Sequence, residues 1–158
     1  ARRPTAVLKS YRFNHVIGID LVEIKFQERS RFWVNIVCWG TQYQHVYLID
    51  APDPKRPENV WKAFVDAWVR IFGVPEILVM DPGTEFKGLF MEQCIARGIL
   101  VLPTDPRAPW QKGKTERAGK AWKAIFKNAL RKDKPLDFDE WRLLGHECNA
   151  SRTGYDSR

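Results

Sequence analysis

Along the chain the spacing of apolar residues switches repeatedly between two periods. Residues 15–25, 32–39 and 45–49 are rich in β-branched and aromatic side chains. Short polar stretches separate them, a pattern that predicts three strands in an antiparallel meander. Asp53, Pro54 and Pro57 interrupt this pattern. Across residues 59–72, Val60, Trp61, Phe64, Trp68, Ile71 and Phe72 then recur on one helical face, and Gly73 and Pro75 end the run. Residues 76–80 predict a short buried strand entering an Asp81-Pro-Gly turn. A helix over 87–97, a strand over 99–102 and a proline-rich loop over 103–109 follow.

The strongest periodic signal is the helix over residues 114–131. Ala118, Ala121, Trp122, Ile125, Phe126, Ala129 and Leu130 follow the i, i+3, i+4 spacing of an amphipathic stripe. Asp137 and Glu140 have capping-box-like spacing for a last helix reaching toward Asn149, and residues 151–158 form a polar end. Strands alternating with helices predict one α/β domain over residues 10–158, entered by a linker over 1–9 that carries Arg2, Arg3 and Pro4.

Composition adds little to that picture, but the placement of charge adds a good deal. Hydrophobic residues at 44% and charged residues at 28% are ordinary globular values, which exclude a disordered chain. The net charge is +7, and the segment 107–134 alone holds ten Lys or Arg against Glu116 and Asp133. One segment therefore carries the whole surplus and focuses a positive field, so nucleic acid is the expected partner. Cys38, Cys94 and Cys148 are far apart and without metal-ligand spacing, which predicts buried thiols rather than a disulfide or zinc framework. No apolar run has the length of a membrane span and no signal peptide opens the chain, so an intracellular protein is expected.

Three acids stand out. Asp20 lies in Val-Ile-Gly-Ile-Asp-Leu-Val, where a buried carboxylate needs a compensating positive charge, such as a metal ion or a salt bridge. Asp81 ends Ile-Leu-Val-Met-Asp at a strand terminus, a favoured place for ligand-binding residues and also a natural turn start. Glu116 falls in the first turn of the expected helix, where it would suit the helix dipole and pair with Lys120. On that helix Glu116, Lys120, Lys123, Lys127 and Arg131 project within roughly 80° of one another. Carboxylates are the donors that Mg²⁺ prefers, and neighbouring bases hold phosphates.

At these residues the sequence resembles the catalytic cores of retroviral and retrotransposon integrases, within the ribonuclease H-like superfamily. Three segments carry the resemblance: Gly18-Ile19-Asp20; Asp81-Pro82-Gly83-Thr84-Glu85-Phe86, similar to Asp-x-Gly-x-x-Phe; and the run from Pro109 to Arg117. Between Asp81 and Glu116 stand 34 residues, one short of the family's usual separation. The resemblance implies a five-stranded mixed sheet flanked by helices on both faces, with Asp20, Asp81 and Glu116 as catalytic and metal-binding residues. They would hold two Mg²⁺ ions, replaceable by Mn²⁺. It implies DNA contacts from Lys120, Lys123, Lys127, Lys112, Lys114 and Gln111, with Thr84 near target DNA. Gln111, Lys112 and Gly113 would lie in a mobile loop over the site, where Trp110 either stacks on a base or packs beneath the loop.

The same resemblance implies element-end and target DNA as partners, a homodimer of cores and a higher oligomer on DNA. Trp61, Trp68 and Trp141 would either join a subunit interface or be buried within one subunit. An N-terminal zinc module and a C-terminal DNA-binding domain are expected in the full-length protein. A nuclear or virus-like-particle setting follows if the element is eukaryotic. A bacterial insertion-sequence transposase core shares these acids, and a domesticated DNA- or protein-binding module shares the fold without turnover.

Overall fold

A computed structural model describes residues 12–81, 83–104 and 109–153, with side chains except at 109–112 and 153. The expected linker over 1–9 lies outside the described residues. Strands β1 (Val16–Phe26), β2 (Arg29–Cys38) and β3 (Gln44–Leu48) form the meander, and β4 (Ile77–Met80) and β5 (Leu100–Pro103) extend it. The order across the sheet is β3-β2-β1-β4-β5. β1–β2 and β2–β3 pair antiparallel, whereas β1–β4 and β4–β5 pair parallel. This is the mixed five-stranded sheet that the resemblance implies. The β1–β2 connection is tight because Gln27 and Glu28 both adopt positive φ, 51° and 64°, the conformation that a two-residue hairpin demands.

Helices cover both faces. On one lie α1, which runs over Pro57–Phe64, a π-helical turn at Val65–Val69 and a last turn at Arg70–Phe72, and α2 (Leu89–Ala96). They pack on Ile17, Ile19, Val34, Ile36 and Leu78. On the other lie α3 (Pro109–Asp133) and α4 (Phe138–Thr153), over Val22, Ile24, Val46 and Leu48. Alternate residues of β1 thus enter opposite cores, as the period-two geometry of a strand requires. Trp33, Trp122, Phe126 and Trp141 interlock in the second core, with ring centroids 4.9–5.5 Å apart.

Several expectations are corrected. Pro57 does not break α1 but opens it, where its fixed φ suits the first turn and its missing N–H costs nothing. The π turn holds an extra residue, which carries Ile71 off the buried face to 54% exposure and leaves Phe72 against Trp68. Helix α3 begins at Pro109, five residues before the expected start, so the backbone of Gln111, Lys112 and Gly113 is helical rather than a loop. Glu116 consequently lies in the second turn of α3. The side chains of Trp110, Gln111 and Lys112 lie outside the described residues. Of the two alternatives for Trp61, Trp68 and Trp141, burial within the subunit is the one observed, at 8%, 0% and 1% exposure.

The open edge of β3 is closed by side chains of α4. The Asn149 amide accepts from Val46 N–H and donates to the Val46 carbonyl, both at 2.8 Å, and His146 Nε2 accepts from Leu48 N–H at 3.2 Å. One helix thereby takes the place of a sixth strand. Asp137 Oδ1 accepts from Glu140 N–H at 2.9 Å, the expected cap of α4. All three cysteines are buried and unpaired, as expected, and burial pushes the Cys94 thiol up to about 12 and the Cys148 thiol up to about 11. Among the described residues no helix is long and apolar enough to cross a membrane.

Candidate active site

The parallel pairing of β1 with β4 sets the relation of the first two acids. Val16, Ile17 and Gly18 stand opposite Ile77, Leu78 and Val79, so continuing the register by two residues brings Asp20 beside Asp81. Both lie on the face covered by α3, because Asp20 alternates with Ile19 and Asp81 with Met80, and those two side chains enter the α1–α2 core. Asp20 and Asp81 line one small cleft together with Thr104 and Thr115.

Helix α3 reaches this cleft because Gly18 lets it come close. A Cβ at that position would stand 1.9 Å from Thr115 Oγ1 and 2.6 Å from Trp39 Nε1. The same Thr115 hydroxyl accepts from the Trp39 indole at 3.2 Å. Asn35, directly across β2 from Asp20, donates from Nδ2 to Asp20 Oδ1 at 2.9 Å and to the Thr115 carbonyl at 3.0 Å. Strand and helix are therefore joined at the acid itself.

Glu116 follows Thr115 but projects about 100° further round the helix, and it is exposed rather than part of the cleft lining. Among the described residues no group of three or more carboxylate, histidine or cysteine side chains is close enough to hold a metal ion. The structure brings Asp20 and Asp81 together and leaves Glu116 outside that lining. Lys120, Lys127 and Arg131 are exposed and Lys123 half-buried along the same side of α3, as the helical spacing predicts. Thr84 is exposed in a short 3₁₀ turn, Thr84–Phe86, that follows Asp81. Glu23 points away from Asp20's face and accepts from the Ser30 hydroxyl.

Lys114 turns to the other flank of α3, its Nζ 5.6 Å from the centre of the Trp39 ring. There it shares a hollow of about 300 Å³ with Arg117, Arg152, Gln42 and Trp39, and among the described residues no acid lines it. Arg117 and Arg152 are absent from the sequence-based site, as are Asn35 and Gln44. One signal for the latter pair was present, since Asn35 is the sole polar residue in Phe-Trp-Val-Asn-Ile-Val-Cys-Trp.

No family model matches the sequence, and no curated protein resembles it. Solved structures do share its fold. The HTLV-2 integrase catalytic core in complex with magnesium, in its trimeric form, superposes with a TM-score of 0.74 at 16% identity, covering 90% of this chain and 87% of that one. The dimeric form of that core gives 0.69 at 17% identity, covering 88% and 86%. In an intasome of simian T-cell lymphotropic virus bound to the PP2A regulatory subunit B56 gamma, the TM-score is 0.74 at 14% identity, covering 87% of this chain and 48% of that one. The chain thus has the ribonuclease H-like fold of retroviral integrase catalytic cores.

Proposed function

We propose that this chain is the catalytic core of a retroelement-type integrase, which processes DNA 3′ ends and joins them to target DNA by metal-dependent phosphoryl transfer. The observation that carries the reading is the pairing in one cleft, beneath a basic helix, of Asp20 in the middle of β1 with Asp81 just past the end of the adjacent parallel strand β4. Two carboxylates are a hard-oxygen donor set of the kind that Mg²⁺ takes alongside water and substrate phosphate. Asp20 and Asp81 would hold the first ion, and Glu116 would complete a second site with one of them. Bound there, Mg²⁺ or Mn²⁺ would activate the attacking oxygen and stabilise the leaving one.

The rest of the work falls to the chain's own side chains. Lys120, Lys123 and Lys127 would bind element-end phosphates and keep the scissile bond in line with an attacking water or DNA 3′-hydroxyl. Thr84 would lie near target DNA, with Gln111 and Lys112 at the start of α3 as further contacts. The hollow formed by Lys114, Arg117 and Arg152 suits one more backbone phosphate, since three cations converge there and no acid among the described residues lines it. Dimeric and higher assemblies on DNA belong to the same proposal, as do the nuclear or virus-like-particle setting and a longer parent protein.

The test is strand joining by the full-length protein with Mg²⁺ or Mn²⁺. Asp81→Asn and Glu116→Gln are expected to abolish joining while leaving the unfolding midpoint in place; joining retained by either variant removes that acid from the reaction. The exposure of Glu116 outside the cleft supports a second reading, a DNA-binding module that has kept the fold and lost turnover. That reading predicts DNA binding without joining in the unsubstituted protein.

A further inference from the structure

A buried chain of amide groups leads from helix α4 to Asp20. Asn35 and Gln44 are 0% and 1% exposed, so each of their polar atoms needs a partner. Arg152 Nε donates to Gln44 Oε1 at 2.6 Å. Gln44 Nε2 donates to Asn35 Oδ1 at 2.7 Å and to the Ala118 carbonyl at 2.9 Å. Asn35 Nδ2 then donates to Asp20 Oδ1 and to the Thr115 carbonyl.

The direction of this chain is fixed at several points. A guanidinium has no acceptor, so Gln44 must turn its oxygen to Arg152 and its nitrogen inward. A peptide carbonyl only accepts, so Ala118 demands the same of Gln44, and Thr115 demands that Asn35 present nitrogen. Reversing any one amide would oppose oxygen to oxygen or nitrogen to nitrogen in a site closed to water, costing about 1–3 kcal/mol for each group left unpaired. Asp20 is thereby always offered a donor.

We propose that Asn35 is a positioning residue for metal binding, holding the Asp20 carboxylate and the α3 peptide just before Glu116 on one nitrogen, with Gln44 and Arg152 setting its direction. The inference rests on the assignment of Asp20 to the metal site. The alternative is that the chain of amides serves only to satisfy buried groups and stabilise the fold. The two separate experimentally, because stabilisation alone moves the unfolding midpoint but not the affinity of the folded protein for the ion.

The experiment is calorimetric titration of Mn²⁺ into this chain and into three variants, each first checked for a cooperative unfolding transition. Asp20→Asn is expected to remove most Mn²⁺ affinity. Asn35→Val, which keeps a strand-forming side chain of similar size, is expected to weaken it about tenfold, the low end of the range for outer groups that orient metal ligands, and Gln44→Met, one residue further from the acid, by a smaller factor of about three. Wild-type affinity in folded Asn35→Val, with affinity lost in Asp20→Asn, overturns the positioning role and leaves the metal assignment intact. Wild-type affinity in Asp20→Asn overturns both. If Asn35→Val does not fold, Gln44→Met decides: it touches neither Asp20 nor Thr115, and unchanged affinity there overturns the proposal.

Discussion

Replacing Gly18 by alanine tests how closely α3 must sit on β1. The added methyl would lie 1.9 Å from Thr115 Oγ1 and 2.6 Å from Trp39 Nε1, where ordinary contact begins at 3.4 Å, so at least one neighbour must move by more than an ångström. Thr115 is 7% exposed and Trp39 also 7%, which leaves neither an easy path outward. Overpacking of this kind costs about 1–3 kcal/mol. Losing the indole–hydroxyl bond between Trp39 and Thr115 adds about 1 kcal/mol or more, since the N–H stays buried. A total of about 3 kcal/mol corresponds to a fall of roughly 10 °C in Tm for a chain of this length. Circular dichroism melts of Gly18→Ala, Thr115→Ala and the double variant check it. Thr115→Ala removes the nearest atom, so the double variant is expected to be more stable than the sum of the single effects by about 1 kcal/mol or more. A Gly18→Ala protein within about 0.5 kcal/mol of the original, or strict additivity in the double variant, would refute the close-approach argument.

Other consequences are as direct. Burial, with His45 and Arg142 adding to it, lowers the His146 pKa to about 4, so the neutral ring that accepts from Leu48 N–H belongs to the fold. Its contribution is complete above the unfolded value of about 6.5 and is lost as pH falls toward 4. Urea unfolding at pH 7 and pH 4.5 is expected to show about 2 kcal/mol less pH dependence in His146→Gln, a figure already reduced for partial exposure of the ring; identical pH profiles would contradict it. Asn149→Ala leaves the Val46 N–H and carbonyl unpaired at the sheet edge and is expected to lower stability by about 2 kcal/mol, read from the urea midpoint, with faster exchange of the Val46 amide. Replacing Lys120 and Lys127 together by alanine is expected to reduce the slope of log affinity against log salt for duplex DNA by about 2, measured by fluorescence anisotropy, and an unchanged slope would remove both from the interface.

The sheet was legible because each strand declares itself locally, either through alternation over one covered face or through an apolar run between turn residues. Its turns were less so: Gln27 and Glu28 carry no Asn-Gly signal, and the hairpin forces positive φ on side chains that resist it. Prolines misled twice, at Pro57 and Pro109, because a proline reads as a break although the first turn of a helix accepts it. Asp20 and Asp81 were legible as strand-embedded acids, and their adjacency follows from the β1–β4 register, which no local pattern encodes. Glu116 was placed by resemblance and helical spacing, and the earlier start of α3 moves it from the first turn to the second. Asn35, Gln44, His146 and Asn149 act through partners far away in the chain, some 70 to 110 residues for the Thr115, Ala118, Val46 and Leu48 contacts. Their roles exist only once α3 and α4 have docked.

Crystals of this chain grown with Mn²⁺ and measured at the manganese absorption edge offer the most direct test of the proposed chemistry. An anomalous peak is expected in the cleft, bonded at about 2.1 Å to carboxylate oxygens of both Asp20 and Asp81, and lost in Asp81→Asn. A cleft without manganese in crystals that bind the ion elsewhere, or a bound ion that ignores either aspartate, would contradict it.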